Sequence, residues 1–199
     1  MLNHGDRIGH AFMKMVFKDM NKELIFKISL FGEPNVGKTS MVRQYLKERF
    51  SVEERTPVSL DIGVKKLHVN NTIIFLQIWI LAGKSQFKPL TPIYTRGSSV
   101  GIFMFDLTRV NTLETVREWL DLFEKGQSDQ KRDVLLIMVG GKADLTEKQE
   151  VSWGKSLWYA KKYYFKRYFE CSTKKSINIE EIFEYIVNNL DKKDQRIIH

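Results

Sequence analysis

The stretch that most constrains this chain is GEPNVGKT, which runs from Gly32 to Thr39. It matches the pattern G-x-x-x-x-G-K-[ST] and lies between a β-rich apolar run and an amphipathic segment. Glycines at this spacing let backbone N–H groups turn inward around a phosphate, and a following helix adds its positive end. The lysine contributes a charge and the hydroxyl a ligand for Mg²⁺. The sequence therefore predicts a phosphate-binding loop between a strand and a helix.

Strand-like and amphipathic segments alternate along the rest of the chain. Six short runs have the composition of strands: residues 24–31, 64–69, 73–80, 99–105, 134–140 and 164–172. Asn70-Asn71 joins the second and third as a hairpin signal, and segments beginning at Asn111 and Asn178 have the spacing of capped amphipathic helices. We expect an α/β fold of the P-loop NTPase type, with a doubly wound, mostly parallel six-stranded sheet and helices on both faces.

The amino-acid composition indicates the cellular compartment and the kinds of partner that this chain can have. The formal net charge is +8, but Lys and Arg are scattered, so we interpret them as a solvated surface and expect no nucleic-acid partner. Attraction to an acidic membrane or to nucleic acid is the alternative. Cys171 is the only cysteine, which excludes an intrachain disulfide and fits a reducing compartment. We therefore expect a cytoplasmic protein with no spanning segment and no lipidation signal.

Residues 1–23 stand outside the strand–helix alternation and form a separate region. On a helical wheel they present a broad apolar arc formed by Ile8, Ala11, Phe12, Met15, Val16 and Met20. A helix of this kind lies in a membrane interface, so we expect weak, peripheral membrane contact through this extension. A helix packed on its own domain, or a terminus without structure, is the alternative. The compact domain is expected to span 24–191, followed by a short polar tail, 192–199.

Two further loops follow apolar strands. VGGKADL covers residues 139–145 and ECSTKK covers residues 170–175. Because ligands of open α/β sheets bind at the carboxyl ends of strands, these loops and the phosphate loop are expected to meet at one edge. The carboxylate of Asp144 can accept two hydrogen bonds side by side, which suits the N1–H and exocyclic amine of guanine. An ordinary helix cap is the alternative role for Asp144.

Taken together, these stretches resemble the Ras superfamily of small GTPases, and its Rab- and Ras-like branches in particular, over residues 24–191. FLQIWILAGKSQF is similar to the family's LQIWDTAGQERF, GGKAD to N-K-x-D, and ECSTK to E-T-S-A-K. PIYTRGSSVGIFMFDLT is similar to the segment that follows the second switch. The resemblance implies GTP or GDP and Mg²⁺ as ligands. It also implies effector or regulatory proteins that bind through residues 50–63 and 80–96.

The resemblance implies a role for each matching position. The phosphate-wrapping residues are Glu33, Asn35, Val36, Gly37, Lys38, Thr39 and Ser40, and Thr39 also holds the metal. The base-binding residues are Phe50, which stacks, Lys142 along the ribose and base, Asp144, Ser172 supporting it, Thr173 through its N–H, and Lys174 over the ring. The catalytic candidates are Lys38, Gly83 and Lys84.

Several positions depart from the family pattern. Gly141 replaces the asparagine of N-K-x-D, and Pro34 replaces a small glycine beside the γ-phosphate. Counting back from Trp79 puts Pro57 at the family's metal-binding threonine, with Thr56 and Ser59 nearby as other hydroxyls. Ile80 replaces the aspartate that steadies Mg²⁺, and Lys84 replaces the glutamine that orients water. These departures favour retained binding and weakened hydrolysis.

Three functions are compatible with these residues. The first is a guanine-nucleotide switch with slow hydrolysis, and the second is a nucleotide-locked scaffold without useful hydrolysis. The third is an ATP-using P-loop kinase, which Asp144 and the ECSTK stretch argue against.

Overall fold

The fold is described by a computed structural model that covers residues 22–47, 59–128, 133–190 and 196–197. The predictions made for the N-terminal helix and for Phe50, Thr56 and Pro57 lie outside these ranges. No helix in the described ranges is both long enough and apolar enough to cross a bilayer.

The sheet has the predicted architecture. Its strands are β1 (Lys22–Phe31), β2 (Leu60–Val69), β3 (Thr72–Leu81), β4 (Val100–Asp106), β5 (Leu135–Gly141), β6 (Arg167–Glu170) and β7 (Arg196–Ile197). The order is β2-β3-β1-β4-β5-β6, and only the β2–β3 hairpin is antiparallel along this path. The six predicted strands and their mostly parallel pairing are therefore confirmed. The short β7 adds an antiparallel pairing to Leu24 and Ile25 of β1.

Helices follow the strands as the alternation predicts. They are α1 (Lys38–Leu46), α2 (Thr91–Thr95), α3 (Val110–Glu114), α4 (Val116–Gln127), α5 (Trp153–Lys162) and α6 (Ile179–Asn189), with 3-10 helices at Ser85–Leu90 and Thr146–Lys148. The expected cap at Asn111 is wrong, because α3 begins one residue earlier. Asn178 does precede α6, but its amide donates to the carbonyl of Glu170 instead of capping the helix.

Apolar side chains fill both faces of the sheet. One cluster joins the sheet to α1 and α6, where the rings of Tyr45 and Phe183 stack 3.7 Å apart. The other joins it to α3, α4 and α5 around the fully buried Trp119. Along β4, Met104 belongs to the first cluster and Phe103 to the second. Burial on both faces explains why this strand is continuously apolar up to its last residue.

The packing of α4 against α2 depends on a glycine. A Cβ atom at Gly126 would collide with Oγ1 of Thr95 and lie 2.5 Å from the carbonyl oxygen of Pro92. Gly154 of α5 offers a matched control, because no atom lies within 4 Å of a Cβ atom there.

We predict that Gly126→Ala lowers the free energy of unfolding by about 1–3 kcal/mol, because the helices must separate to admit the methyl group. Gly154→Ala should instead raise it by up to about 1 kcal/mol, because alanine loses less backbone entropy in a helix. Urea unfolding monitored by circular dichroism measures both, and equal midpoints for the two variants would contradict this account of the α2–α4 contact.

Candidate functional site

Four loops meet at the carboxyl edge of the sheet. They follow β1, β4, β5 and β6, whose parallel pairing brings their ends side by side. β1 lies at the point where the strand order reverses, with β3 on one side and β4 on the other. Ligands of open α/β sheets bind at such a point.

The phosphate loop turns through left-handed backbone conformations. Gly32, Asn35 and Gly37 have φ angles of 136°, 62° and 110°. A side chain at Gly32 would also collide with the carbonyl oxygen of Met104. α1 begins directly after Gly37 without a side-chain cap, so its first N–H groups are left for an anion.

Lys38 lies beneath this loop and holds it together. Its Nζ donates to the carbonyl oxygens of Gly32 and Glu33, each at 2.7 Å. An ammonium has three protons, so one donor is left for a phosphate oxygen. The residue is only 7% exposed, and burial lowers the pKa of Lys38 to about 8. Glu33 raises this pKa and Arg109 lowers it further.

The side chain of Glu33 points away from Lys38 toward α4. Its Oε1 accepts from the indole Nε1 of Trp119 at 3.0 Å and lies 3.0 Å from Nζ of Lys88. Lys88 also pairs with Glu118 at 2.8 Å. The phosphate loop is thereby tied to α4 and to the 3-10 helix Ser85–Leu90. These tethers carried no signal in the sequence, because their members are far apart along the chain.

The segment after β3 lies directly against the phosphate loop. A Cβ atom at Gly83 would collide with the backbone nitrogen of Pro34 and lie 2.6 Å from the carbonyl oxygen of Gly32. Only glycine allows this approach. Lys84 is next, with an exposed side chain and an extended backbone. Of the three catalytic candidates, Lys38 and Gly83 thus lie at the loop, whereas Lys84 faces solvent.

The position of Ile80 is apolar in this chain. Its side chain is 6% exposed and belongs to the cluster shared with α1. Asp61 is its direct partner across the β2–β3 hairpin, so both side chains leave the same face of the sheet. Sequence reasoning missed Asp61 because only the strand register shows that it stands beside Ile80.

The two loops predicted to bind the base, residues 139–145 and 170–175, are joined through Asp144 and are called the base side below. The hydroxyl of Ser172 donates to Oδ1 of Asp144 at 2.6 Å and accepts from the N–H of Lys175 at 3.1 Å. The hydrogen bond from Ser172 is the main cause of a lowered pKa of Asp144, with help from Lys174 and Lys175. The predicted pair is therefore brought together, with Thr173 and Lys174 in the turn that follows Ser172.

Asp106 connects the base side to the phosphate side. It is fully buried and lies 2.6 Å from Nζ of Lys142 and 2.8 Å from Nε of Arg109. Nη2 of Arg109 donates to the carbonyl oxygen of Pro34 at 3.1 Å. Burial raises the pKa of Asp106, but hydrogen bonds from Lys142, Arg109 and Thr108 outweigh it and lower the pKa overall. Sequence reasoning did not single out Asp106, although an acid that ends an apolar strand was a usable signal.

Met104 occupies the space beside Gly141. A Cβ atom at Gly141 would lie 2.8 Å from Cε of Met104 and 2.7 Å from the carbonyl oxygen of Val36. The same methyl group lies 3.2 Å from a Cβ atom built at Gly37. The thioether therefore packs between the phosphate loop and the base loop, and this packing leaves no room for a larger residue at 141.

The donors at the edge fit a magnesium ion that is held mainly by phosphate. Mg²⁺ needs only one or two protein oxygens when substrate phosphates complete its octahedron. The hydroxyl of Thr39 is half-buried at the start of α1 and meets this need. The described part of the chain holds no group of three acidic, histidine or cysteine ligands. The hydroxyl of Ser59 is engaged with that of Tyr94 at 3.0 Å.

Comparison with known proteins gives a consistent result. The model of the Ras family matches residues 27–192. The chain is 32% identical over 172 residues to Ras-related protein Rab-19 of Homo sapiens, covering 86% of this chain and 78% of the relative. It is 31% identical over 176 residues to Ras-related protein Rab-2B of Dictyostelium discoideum, covering 88% of this chain and 85% of the relative.

The buried Lys38 makes a pH-dependent contribution to anion binding. A bound phosphate should raise the pKa of Lys38 above its free value of about 8, so the favourable interaction is fully present below pH 8 and is lost only as the pH rises through the raised, phosphate-bound pKa. We predict that binding of GDP takes up about 0.2 proton at pH 7.4 and about 0.8 proton at pH 8.6, from the deprotonated fraction of a free group with that pKa.

Calorimetric titrations in buffers of different ionisation enthalpy measure this uptake. Lys38→Met should abolish the difference between the two pH values, whereas Lys175→Met should keep it. Equal uptake by the wild type at both pH values would contradict a lowered pKa of Lys38 in the free protein.

Proposed function

Because the chain belongs to the Ras family of small GTPases, we propose that it is a guanine-nucleotide switch whose own GTP hydrolysis is slow. The observation that supports this best is the meeting of two groups at one sheet edge. Lys38 lies under a left-handed phosphate loop, and Asp144 is held by Ser172 on the base side. The domain itself is proposed to span 24–191, between the extension 1–23 and the tail 192–199.

Guanine recognition is proposed to rest on Asp144. Ser172 occupies one oxygen, and the carboxylate keeps lone pairs for the N1–H and the exocyclic amine of guanine. Thr173 would offer its N–H and Lys174 its stem, while Phe50 would stack on the base. Lys142 would lend its alkyl stem to the ribose and base, because its ammonium is paired with Asp106.

Weak hydrolysis is proposed from the surroundings of the γ-phosphate. Mg²⁺ would be held by Thr39 and by the phosphates, and Ile80 offers no oxygen to a metal-bound water. Lys84 has donors but no acceptor, so it cannot orient an attacking water as a glutamine amide does. Pro34 lacks an N–H that the loop would otherwise offer. Because of these three replacements, we expect the nucleotide to be held well but attacked slowly by water.

A nucleotide-locked scaffold is the second candidate. The buried, apolar environment of Ile80 favours it. The isoleucine not only lacks a carboxylate for the metal shell but is also packed into the core. The two candidates share the binding site and differ in turnover. Identification of the nucleotide in the purified protein, followed by its release and hydrolysis rates, separates them.

Partners and location are proposed from the family and the sequence together. Effectors or regulatory proteins would bind through 50–63 and 80–96, and Gly83 of the second region lies against the phosphate loop. Residues 1–23 would add a weak membrane contact to a cytoplasmic protein. Flotation of the full chain and of a chain starting at Lys22 with liposomes tests the second point.

Asp144→Asn should weaken GDP and GTP binding by about 10- to 150-fold, equivalent to about 1.5–3 kcal/mol, because the amide cannot accept both guanine hydrogen bonds. ADP binding should not weaken further. Competition of the three nucleotides against a fluorescent analogue measures this. Asp133→Asn, an exposed change before the first residue of β5, is the matched control. A variant that keeps the full guanine preference would refute the assignment.

Hydrolysis by the wild type should be at or below about 10⁻⁴ per second in single-turnover assays, the slow intrinsic rate of small GTPases. The Ile80→Asp, Lys84→Gln double variant should be faster, because it restores a carboxylate for the metal shell and an amide for the water. Ile80→Asn with Lys84→Gln has the same shape without the charge and should gain less. Thermal unfolding of each variant checks that the carboxylate introduced at this buried position has not simply unfolded the domain.

Fast turnover by the wild type, or a double variant with intact binding and no gain in rate, would show that these two positions do not limit hydrolysis.

A further inference from the structure

A basic and aromatic surface lies on α5 and the turn that leads into β6. The segment 153–169 contains eight aromatic residues, five basic residues and no acidic residue. We name as the α5 patch the exposed residues between positions 158 and 167, which are Trp158, Lys161, Lys162, Tyr164, Lys166 and Arg167. None of them takes part in the proposed nucleotide site.

The aromatic members of the patch are ordered but remain exposed. Trp158 is 55% exposed and packs edge-on against Tyr159 at 5.1 Å between ring centroids. The ammonium of Lys162 lies 4.6 Å from the centre of the Trp158 ring and 5.4 Å from that of Tyr163. Cation–π contacts of this kind hold the rings in place without removing them from water.

Tyr164 occupies a position that normally suits glycine. It has a φ of 59° at the end of α5, where the N–H of Phe165 reaches back to the carbonyl oxygen of Ala160 at 2.9 Å. Helices commonly end this way with glycine in the left-handed conformation, because a Cβ atom is strained there. The tyrosine side chain is 85% exposed, so its packing inside the domain does not compensate for the strain. An unfavourable backbone position that displays a ring in solvent indicates a role for that ring outside the fold.

The cations of the patch are not neutralised within the described chain. Ion pairs form elsewhere, at Lys88, Arg109 and Lys142, whereas no ion pair of the described residues involves the four cations of the patch. Their positive charge is therefore directed at solvent. The patch is therefore chemically suited to an anionic partner with an apolar layer for the rings.

The patch lies at the end of the sheet opposite to the nucleotide loops. β6 begins at Arg167, a member of the patch, and ends at Glu170, just before Ser172 of the base side. A partner bound to the patch would leave the carboxyl edge of the sheet open to nucleotide and regulatory proteins.

We propose that the α5 patch binds an anionic lipid surface. Tyrosine and tryptophan rings settle at the boundary between headgroups and acyl chains, and nearby Lys and Arg are attracted to acidic headgroups. An acidic peptide or a nucleic acid fits less well, because a ring as exposed as Tyr164 projects outward and does not line a groove. This contact is separate from the one proposed for residues 1–23 and does not depend on nucleotide binding.

Flotation of the full chain with vesicles of phosphatidylcholine, with and without phosphatidylserine, tests the proposal. The wild type should float only with the acidic vesicles. Tyr164→Gly should reduce the bound fraction severalfold and yet raise thermal stability, because glycine relieves the strained backbone. Lys47→Gly is the matched control, since Lys47 has the same φ of 59° at the end of α1. It should gain stability and bind vesicles nearly as the wild type does.

A second pair of variants distinguishes the effect of the patch on vesicle binding from the effect of the protein's net charge. Lys161→Gln with Lys162→Gln should weaken vesicle binding by about tenfold or more, because each basic residue near an acidic surface contributes separately. Lys125→Gln with Lys148→Gln removes the same charge from other exposed positions and should change binding little.

Three results would overturn the proposal. The first is that all four variants bind vesicles as well as the wild type, and the second is that the patch and control variants lose binding equally. The third is that an acidic peptide or a single-stranded nucleic acid at equal charge concentration displaces the protein from the vesicles.

Discussion

The buried ammonium of Lys38 is the interaction on which the site depends. Two carbonyl oxygens of the phosphate loop close around it, which fixes the loop before any ligand arrives. Burial of this cation is unfavourable because it is poorly solvated, and the lowered pKa of Lys38 reflects that desolvation. A phosphate that supplies the missing negative charge relieves it. Preorganisation and affinity therefore have the same physical origin in this loop.

The neighbouring loops are positioned relative to that cation by contacts that differ in kind. Gly83 approaches the phosphate loop through backbone alone, whereas Glu33 is held by the indole of Trp119 and the ammonium of Lys88. On the other side Asp106 gathers Lys142 and Arg109, and Arg109 returns to Pro34. Next to Gly141 the contact is apolar, because the side chain of Met104 fills the space there. The loops of the site are thus held together by a buried ion cluster and by the thioether of Met104.

The two ends of the sheet differ in chemistry. At the carboxyl edge, Lys38 is buried under the phosphate loop with one donor left for an anion, and Lys142 is paired with Asp106. At the α5 patch the cations are unpaired among the described residues and mixed with exposed rings. One end is therefore suited to a small, multiply charged ligand, and the other to an extended anionic surface. The net charge alone did not distinguish these two uses of lysine.

The sequence by itself determined the strands, their order of alternation with helices and the phosphate loop, and its resemblance to the Ras superfamily implied the pairing of Asp144 with Ser172. The strands, helices and phosphate loop depend on local periodicity and on a motif a few residues long, which a linear reading captures. The tertiary structure alone decided that Asp61 stands beside Ile80, that Met104 fills the place next to Gly141, and that Asp106 joins both loops. It also decided that Tyr164 is strained and exposed. Those contacts join residues far apart in the chain or depend on a backbone angle, so only strand register and packing, which are properties of the folded chain, could establish them.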